Sequence, residues 1–215
     1  MTAEARFAHH FPENAKDGSP LMILLHGRGS TEEDLLGLAR LLPDDTLLVT
    51  PRAPFPAAPW GYGPGWAWYQ YLREDRVVEE TLVQSLKALD SFMELIDQAL
   101  PVRAGRRVLG GFSQGGTTSL SWALTRPGRI DGVANLSGFL VSSPLVPVTE
   151  LSVAGLSVFW GHGEQDPMIP FSLAERGRRC LREAGCELEA VNHPGGHQIT
   201  AEEVAAFRAW SEGLG

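Results

Sequence analysis

The run Val108-Leu109-Gly110-Gly111-Phe112-Ser113-Gln114-Gly115-Gly116 admits few backbone solutions. Its apolar start reads as a buried strand, and glycines on both sides of Ser113 let neighbouring backbone pass without Cβ clashes. A strand that turns at once into a helix lifts the serine hydroxyl clear of the sheet. The residues from Thr117 to Arg126 have the length of that helix. Its first amides and positive dipole end would point at any oxyanion forming beside Ser113. Taken alone, the motif fits a serine that merely caps the helix equally well. What discriminates is the chain downstream, because a nucleophile on such a turn needs an acid and then a histidine.

The remaining pattern alternates between strands and helices. Ala5 to Phe11 is a candidate edge strand, and Leu21 to Leu25 is a continuous apolar run bounded by Pro20 and Gly27, as in a strand buried on both faces. After His26-Gly27-Arg28-Gly29, the sequence Ser30-Thr31-Glu32-Glu33 reads as a capping box opening a helix that carries Leu35, Leu36, Leu38, Leu41 and Leu42. Leu47 to Thr50 is the next strand. From Val78 to Leu100, Val78, Leu82, Leu86, Leu89, Met93, Ile96 and Leu100 recur at helical spacing, and Pro101 and Gly105 end the element. Strands at Ile130 to Leu136, Ser157 to Trp160 and Glu187 to Val191 interleave with helices at Phe171 to Ala184 and Ala201 to Gly213, and a Pro/Ser-rich loop runs to about Ser152. This order implies an α/β fold with a mainly parallel central sheet, helices on both faces and no large lid domain. At 215 residues the chain is expected to form a single domain. Catalytic groups then belong at the carboxyl ends of the strands.

The least regular stretch is Pro51 to Tyr71. It holds five prolines, Trp60, Trp66, Trp68 and all three tyrosines. Proline and glycine at this density argue against regular structure, and aromatic side chains in a loop must cover something apolar. The segment is expected to form one wall of a pocket; a crossover packed on the core is the competing reading. Gly61-x-Gly63-x-Gly65 is no dinucleotide fingerprint, because no strand feeds it and Pro64 interrupts it.

A formal charge of -8 argues against a nucleic-acid partner, since phosphate recognition needs clustered Lys and Arg. No apolar run approaches membrane-spanning length, and Met1 to His10 lacks the apolar core of a secretory signal. A cytoplasmic protein without stable membrane insertion is expected. Cys180 and Cys186 read as reduced thiols. Monomer and homodimer both stay open.

Asp166 stands in Gly161-His162-Gly163-Glu164-Gln165-Asp166-Pro167, just past a strand end, where Pro167 stiffens the segment and Met168-Ile169-Pro170 anchors it. Glu164 is its rival. Of the six histidines, His9 and His10 precede the core, while His26 and His162 suit loop bracing. His193 and His197 remain. Their segment, Asn192-His193-Pro194-Gly195-Gly196-His197, cannot be helical, so the four-residue spacing is not the zinc-binding arrangement, which needs a helix face. No metal is expected. His197 directly precedes Thr200-Ala201-Glu202-Glu203, a capping box that would fix the loop tip against the last helix, and is therefore preferred over His193.

Gly-Phe-Ser-Gln-Gly-Gly at 111 to 116, Leu-His-Gly-Arg-Gly at 25 to 29, Pro51-Arg52-Ala53-Pro54 with Trp68-Tyr69, Asn135-Leu136-Ser137-Gly138, Gly161-His162-Gly163 with Asp166, and Gly196-His197 together resemble the phospholipase/carboxylesterase family of α/β-hydrolases. That family includes bacterial carboxylesterases and acyl-protein thioesterases. The resemblance runs from about residue 20 to the end. It implies that Ser113 attacks an acyl carbonyl, His197 moves the proton and Asp166 orients the imidazolium, in agreement with the roles read from the residues. It further implies an oxyanion hole from the backbone N–H groups of Arg28 and Gln114, and no cofactor. The substrate would be a small-molecule ester or thioester. Trp66, Trp68 and Phe139 are the candidate substrate contacts. Arginine at position 28 departs from the apolar residue associated with the thioesterase branch, which leans the expectation toward a carboxylesterase for short to medium acyl chains. A thioesterase or lysophospholipase for longer chains, a dienelactone-type hydrolase, which carries cysteine where Ser113 stands, and a non-catalytic binding member are the alternatives.

Overall fold

A computed structural model describes residues 6–214. In chain order, β1 (Phe7–His10) and β2 (Leu21–Leu25) are followed by a 3₁₀ turn at Leu36–Leu41 and then β3 (Leu47–Pro51). The aromatic segment contains β4 (Phe55–Pro56) and β5 (Trp66–Ala67), and β6 (Tyr71–Arg73) pairs with β7 (Arg76–Val77). The rest alternates: α1 (Glu79–Ala99), β8 (Arg107–Phe112), α2 (Gln114–Thr125), β9 (Gly132–Leu136), α3 (Glu150–Val153), β10 (Ser157–Gly163), α4 (Phe171–Glu183), β11 (Glu187–His193) and α5 (Ala201–Gly213). Seven strands form one sheet in the order β1-β3-β2-β8-β9-β10-β11. Only the edge pair β1/β3 is antiparallel. The first strand is thus the expected edge strand; Ala5, where that expectation began, lies outside the described residues.

Period-two alternation distributes the central strands between two cores. Leu21, Ile23 and Leu25 face α1, α2 and α4, while Met22 and Leu24 face Phe207 and Trp210 of α5 and Leu35 and Leu42 beside the 3₁₀ turn. Both faces are therefore covered, as the continuous apolar runs require. Helix α1 buries Leu82, Leu86, Leu89, Phe92, Met93 and Ile96 along one stripe, each aliphatic side chain contributing about 1.5–3 kcal/mol. Glu79 and Glu80 suit the positive end of its dipole, and Pro101 follows its C-cap, Leu100.

Several local expectations are corrected. The capping box at 30–33 does not form. Ser30 is instead held in an extended bridge, its N–H donating to the Gly27 carbonyl and its carbonyl accepting from Trp66 N–H, while Glu32 is drawn into a two-bonded pair with Arg52. The next element is a 3₁₀ turn with Leu41 47% exposed, not an α-helix with a leucine stripe. The Pro51 to Tyr71 segment is not wholly irregular, since β4 and β5 form an antiparallel ribbon. Helix α2 starts at Gln114, directly after the serine. Strand β10 runs on to Gly163 and β11 to His193, so His162 lies inside a strand rather than in a turn.

Candidate active site

Ser113 sits between β8 and α2 with φ +55 and ψ −115, a strained conformation for a residue with a side chain. The surroundings over-determine it. Its N–H donates to the Leu136 carbonyl at 2.7 Å and its carbonyl accepts from Thr117 N–H at 3.1 Å. A Cβ at Gly111 or Gly115 would overlap the Leu25 carbonyl, so both glycines are required by close approach of β2.

The candidate acid comes from the loop after β10. Asp166 is 6% exposed, and its Oδ1 accepts from Met168 N–H at 2.8 Å and Ile169 N–H at 2.9 Å. These two bonds hold the carboxylate, which is why the Pro167-Met168-Ile169 sequence matters. Oδ2 lies 2.7 Å from His197 Nδ1, and His197 Nε2 lies 2.9 Å from Ser113 Oγ. The structure thus brings together Ser113, Asp166 and His197 from three separate loops. Phe112 packs against the His197 ring in a tilted arrangement with centroids 4.8 Å apart.

His193 stands elsewhere. Its Nδ1 accepts from Gly195 N–H at 3.2 Å, and its carbonyl accepts from Glu164 N–H at 2.8 Å. Gln165 N–H in turn donates to the Gly195 carbonyl at 3.1 Å, so the acid loop and the histidine loop are laced together through backbone. Glu164 presents no carboxylate to the histidine; its part in the lacing is its N–H. His26 and His162 are buried braces, and burial lowers the pKa of both. His26 Nδ1 donates to the Gly27 carbonyl at 2.8 Å and its Nε2 accepts from Ala53 N–H at 3.1 Å. His162 Nε2 donates to the Ile169 carbonyl at 2.9 Å and lies 3.6 Å from Asp166 Oδ2.

A cavity of about 340 Å³ opens beside Ser113 and His197, walled by Tyr69, Tyr71, Phe139, Met168, Ile169, Arg28 and Gln114. Of the candidate substrate contacts, Phe139 lines it; Trp66 and Trp68 do not. Trp68 is 1% exposed and donates its indole N–H to the His26 carbonyl at 2.9 Å. Trp66 exchanges backbone bonds with Gly29 and Ser30 and lies under the Arg52 guanidinium, 4.8 Å from ring centroid to Cζ. The tryptophans therefore hold the 26–30 loop, and the tyrosines supply the wall. Gln114 fastens that wall: its side-chain oxygen accepts from Trp68 N–H at 3.0 Å and its amide donates to the Tyr69 carbonyl at 2.7 Å. Nothing in the sequence marked the Gln114 side chain as a fastener. Among the described residues, the backbone N–H groups of Arg28 and Gln114 donate to no protein acceptor.

This fold, with serine on the β8–α2 turn, defines the class of α/β-hydrolases. Residues 11–211 match the family model described as Phospholipase/Carboxylesterase, and the chain belongs to that family of ester hydrolases. It is 32% identical over 197 residues to acyl-protein thioesterase 1 of Neurospora crassa, covering 85% of this chain and 78% of the relative. Its fold is also that of the Bacillus cereus carboxylesterase, with TM-score 0.83 and 23% identity over 100% of this chain and 96% of the other. Zea mays acyl-protein thioesterase 2 matches with TM-score 0.78 and 21% identity over 98% of this chain and 99% of the other. Among the described residues no helix is long and apolar enough to cross a membrane.

Proposed function

We propose that the protein is a serine carboxylesterase acting on short to medium acyl esters through an acyl-enzyme intermediate. The observation that carries this reading is the unbroken hydrogen-bonded line from Asp166 through His197 to Ser113, with a cavity opening at the serine. Asp166 accepts from His197 Nδ1–H, which leaves Nε2 as the acceptor for the Ser113 proton. Attack of Oγ on the substrate carbonyl transfers that proton to Nε2. The resulting imidazolium faces the Asp166 carboxylate and then protonates the departing alcohol. Water repeats the sequence on the acyl-enzyme and frees the acid.

The oxyanion formed in both halves would be met by the unused N–H groups of Arg28 and Gln114. Losing one such donor typically costs about 2.7–4 kcal/mol of transition-state stabilisation. The Gln114 N–H stands at the start of α2, where the helix dipole adds to it. Phe139, Tyr69 and Ile169 bound the cavity with apolar surface, which suits short and medium acyl groups better than an extended lipid chain. The thioesterase names of relatives keep thioesters within reach, because the same acyl-enzyme forms from either leaving atom.

The test is Ser113→Ala against p-nitrophenyl butyrate. A loss of about 10⁴-fold or more in kcat is expected, with unchanged circular dichroism. Labelling of wild-type protein by a fluorophosphonate at a serine other than Ser113 would overturn the assignment.

A further inference from the structure

The cavity beside Ser113 is lined by an exposed cation, Arg28, that forms no ion pair among the described residues. Of the sixteen arginines, Arg52, Arg107, Arg126, Arg176 and Arg208 pair with an Asp or Glu among the described residues; what sets Arg28 apart is its place beside the serine. Arg28 forms no such pair among the described residues, although the chain carries 26 acidic residues against 18 basic ones. Its guanidinium lies over the Tyr62 ring, 4.7 Å from the centroid. That ring is itself fixed, because Tyr62 Oη accepts from Tyr71 N–H at 2.9 Å. Gly29, at φ +77, lies so close to the Tyr62 carbonyl that a Cβ would overlap it, which seats the Tyr62 segment directly on the Arg28 loop. A stacked guanidinium keeps its donors in one plane and loses little freedom when it meets a planar anion.

Arg28 is exposed and lines the cavity, so its charge stands at the cavity mouth. Burial raises the pKa of Tyr69 and Tyr71, and Arg28 opposes that rise at both hydroxyls, so the cation reaches the two phenols of the cavity wall. Asp34 also lines the cavity but makes no ion pair with Arg28, and the guanidinium donors stay open. Phe112, Phe139, Met168 and Ile169 give the cavity apolar wall, and Ser30 and Gln114 also line it. An apolar slot with one open guanidinium matches a particular ligand shape: a short hydrocarbon body ending in a carboxylate.

We propose that Arg28 makes this site selective for esters that carry a carboxylate, on the acyl half as in half-esters of dicarboxylic acids or on the alcohol half as in esters of hydroxy acids. The inference rests on Ser113 being the nucleophile. The backbone N–H of Arg28 serves the oxyanion while its side chain reads the substrate charge, so one residue would couple reaction and recognition.

Two matched substrate pairs test it. The first is 4-nitrophenyl hydrogen adipate against its methyl ester, with the anion on the acyl half. The second is 4-acetoxybenzoate against methyl 4-acetoxybenzoate, with the anion on the leaving group. For each pair the ratio of kcat/KM, anionic over neutral, is measured in wild type, Arg28→Gln and Arg28→Lys. Intrinsic reactivity cancels between proteins. A charge-assisted bidentate contact predicts that Arg28→Gln lowers the ratio about 10- to 100-fold in one pair, and that Arg28→Lys restores part of it. The pair that responds locates the carboxylate. Ratios equal in wild type and Arg28→Gln for both pairs would overturn the selectivity while leaving the esterase reading intact. Wild-type protein that cleaves none of the four esters would instead count against the esterase reading itself.

Discussion

Glu203→Gln should make the protein more stable at pH 8 than the wild type, although it removes a charge from the end of a helix where carboxylates are normally favoured. Glu203 closes the capping box of α5: its Oε2 accepts from Thr200 N–H at 3.4 Å, and Thr200 Oγ1 accepts from Glu203 N–H at 3.1 Å. The side chain is 0% exposed and lies against β10 where Gly161 has no side chain to separate them. Its Oε1 has no hydrogen-bond partner, and His193 Nε2 stands 3.6 Å from Oε2. Burial therefore pushes the carboxyl from 4.5 up to about 7, against the opposing pull of the Thr200 amide and Arg178. Above pH 4.5 the unfolded chain surrenders this proton while the folded protein keeps it, so stability falls until the pH passes about 7. The interval corresponds to about 3 kcal/mol. Glutamine retains an oxygen for the Thr200 amide and has no proton to lose. Urea unfolding of both proteins at pH 5 and pH 8 is the assay. The variant should match wild type at the lower pH and exceed it by up to about 3 kcal/mol at the higher one. A gap that does not grow with pH, or a variant less stable at pH 8, would refute the reasoning and show that Arg178 and His193 hold Glu203 ionised.

His197→Ala should lose about 10⁴-fold in kcat, whereas His193→Ala, which only loosens the loop, should lose up to about 100-fold; p-nitrophenyl butyrate turnover compares them directly. Phe139→Ala should move the preferred acyl length upward in a p-nitrophenyl ester series by deepening the cavity, whereas Trp68→Phe should leave that preference unchanged and lower stability by about 1 kcal/mol through the lost bond to His26. Cys186 is 7% exposed and its thiol is pushed up to about 11 by burial, so iodoacetamide at pH 8 should modify Cys180 and spare Cys186 on peptide mapping.

The order of strands and helices was legible because burial on both faces leaves a periodic signature. Leu21 to Leu25 needed no partner information to be read as a central strand, and its limits agree with β2. The α5 capping box was legible for a similar reason, since Thr200 and Glu203 satisfy each other within one turn. The same four-residue logic failed at Ser30 to Glu33. There the two amides the box needs go to near neighbours, Ser30 N–H to the Gly27 carbonyl and Glu33 N–H to Thr31 Oγ1. Capping is a local competition, and a nearer acceptor can win it.

The site shows the same division. Motif order sufficed to nominate Ser113, Asp166 and His197, because each stands where a strand ends and strand ends converge on one rim of the sheet. The aromatic segment was harder, since composition reveals that its rings cover something but not which face each ring presents. Trp68 turns inward to the His26 carbonyl and the half-buried Trp66 lies under Arg52, while Tyr69 and Tyr71 turn to the cavity. The Gln114 side chain ties these two layers to the serine turn through Trp68 N–H and the Tyr69 carbonyl. The wall and the two free N–H groups are consequently parts of one hydrogen-bonded assembly. A substitution that shifts the wall should also disturb the placement of the Arg28 N–H, and selectivity and turnover in this protein should be hard to change one without the other.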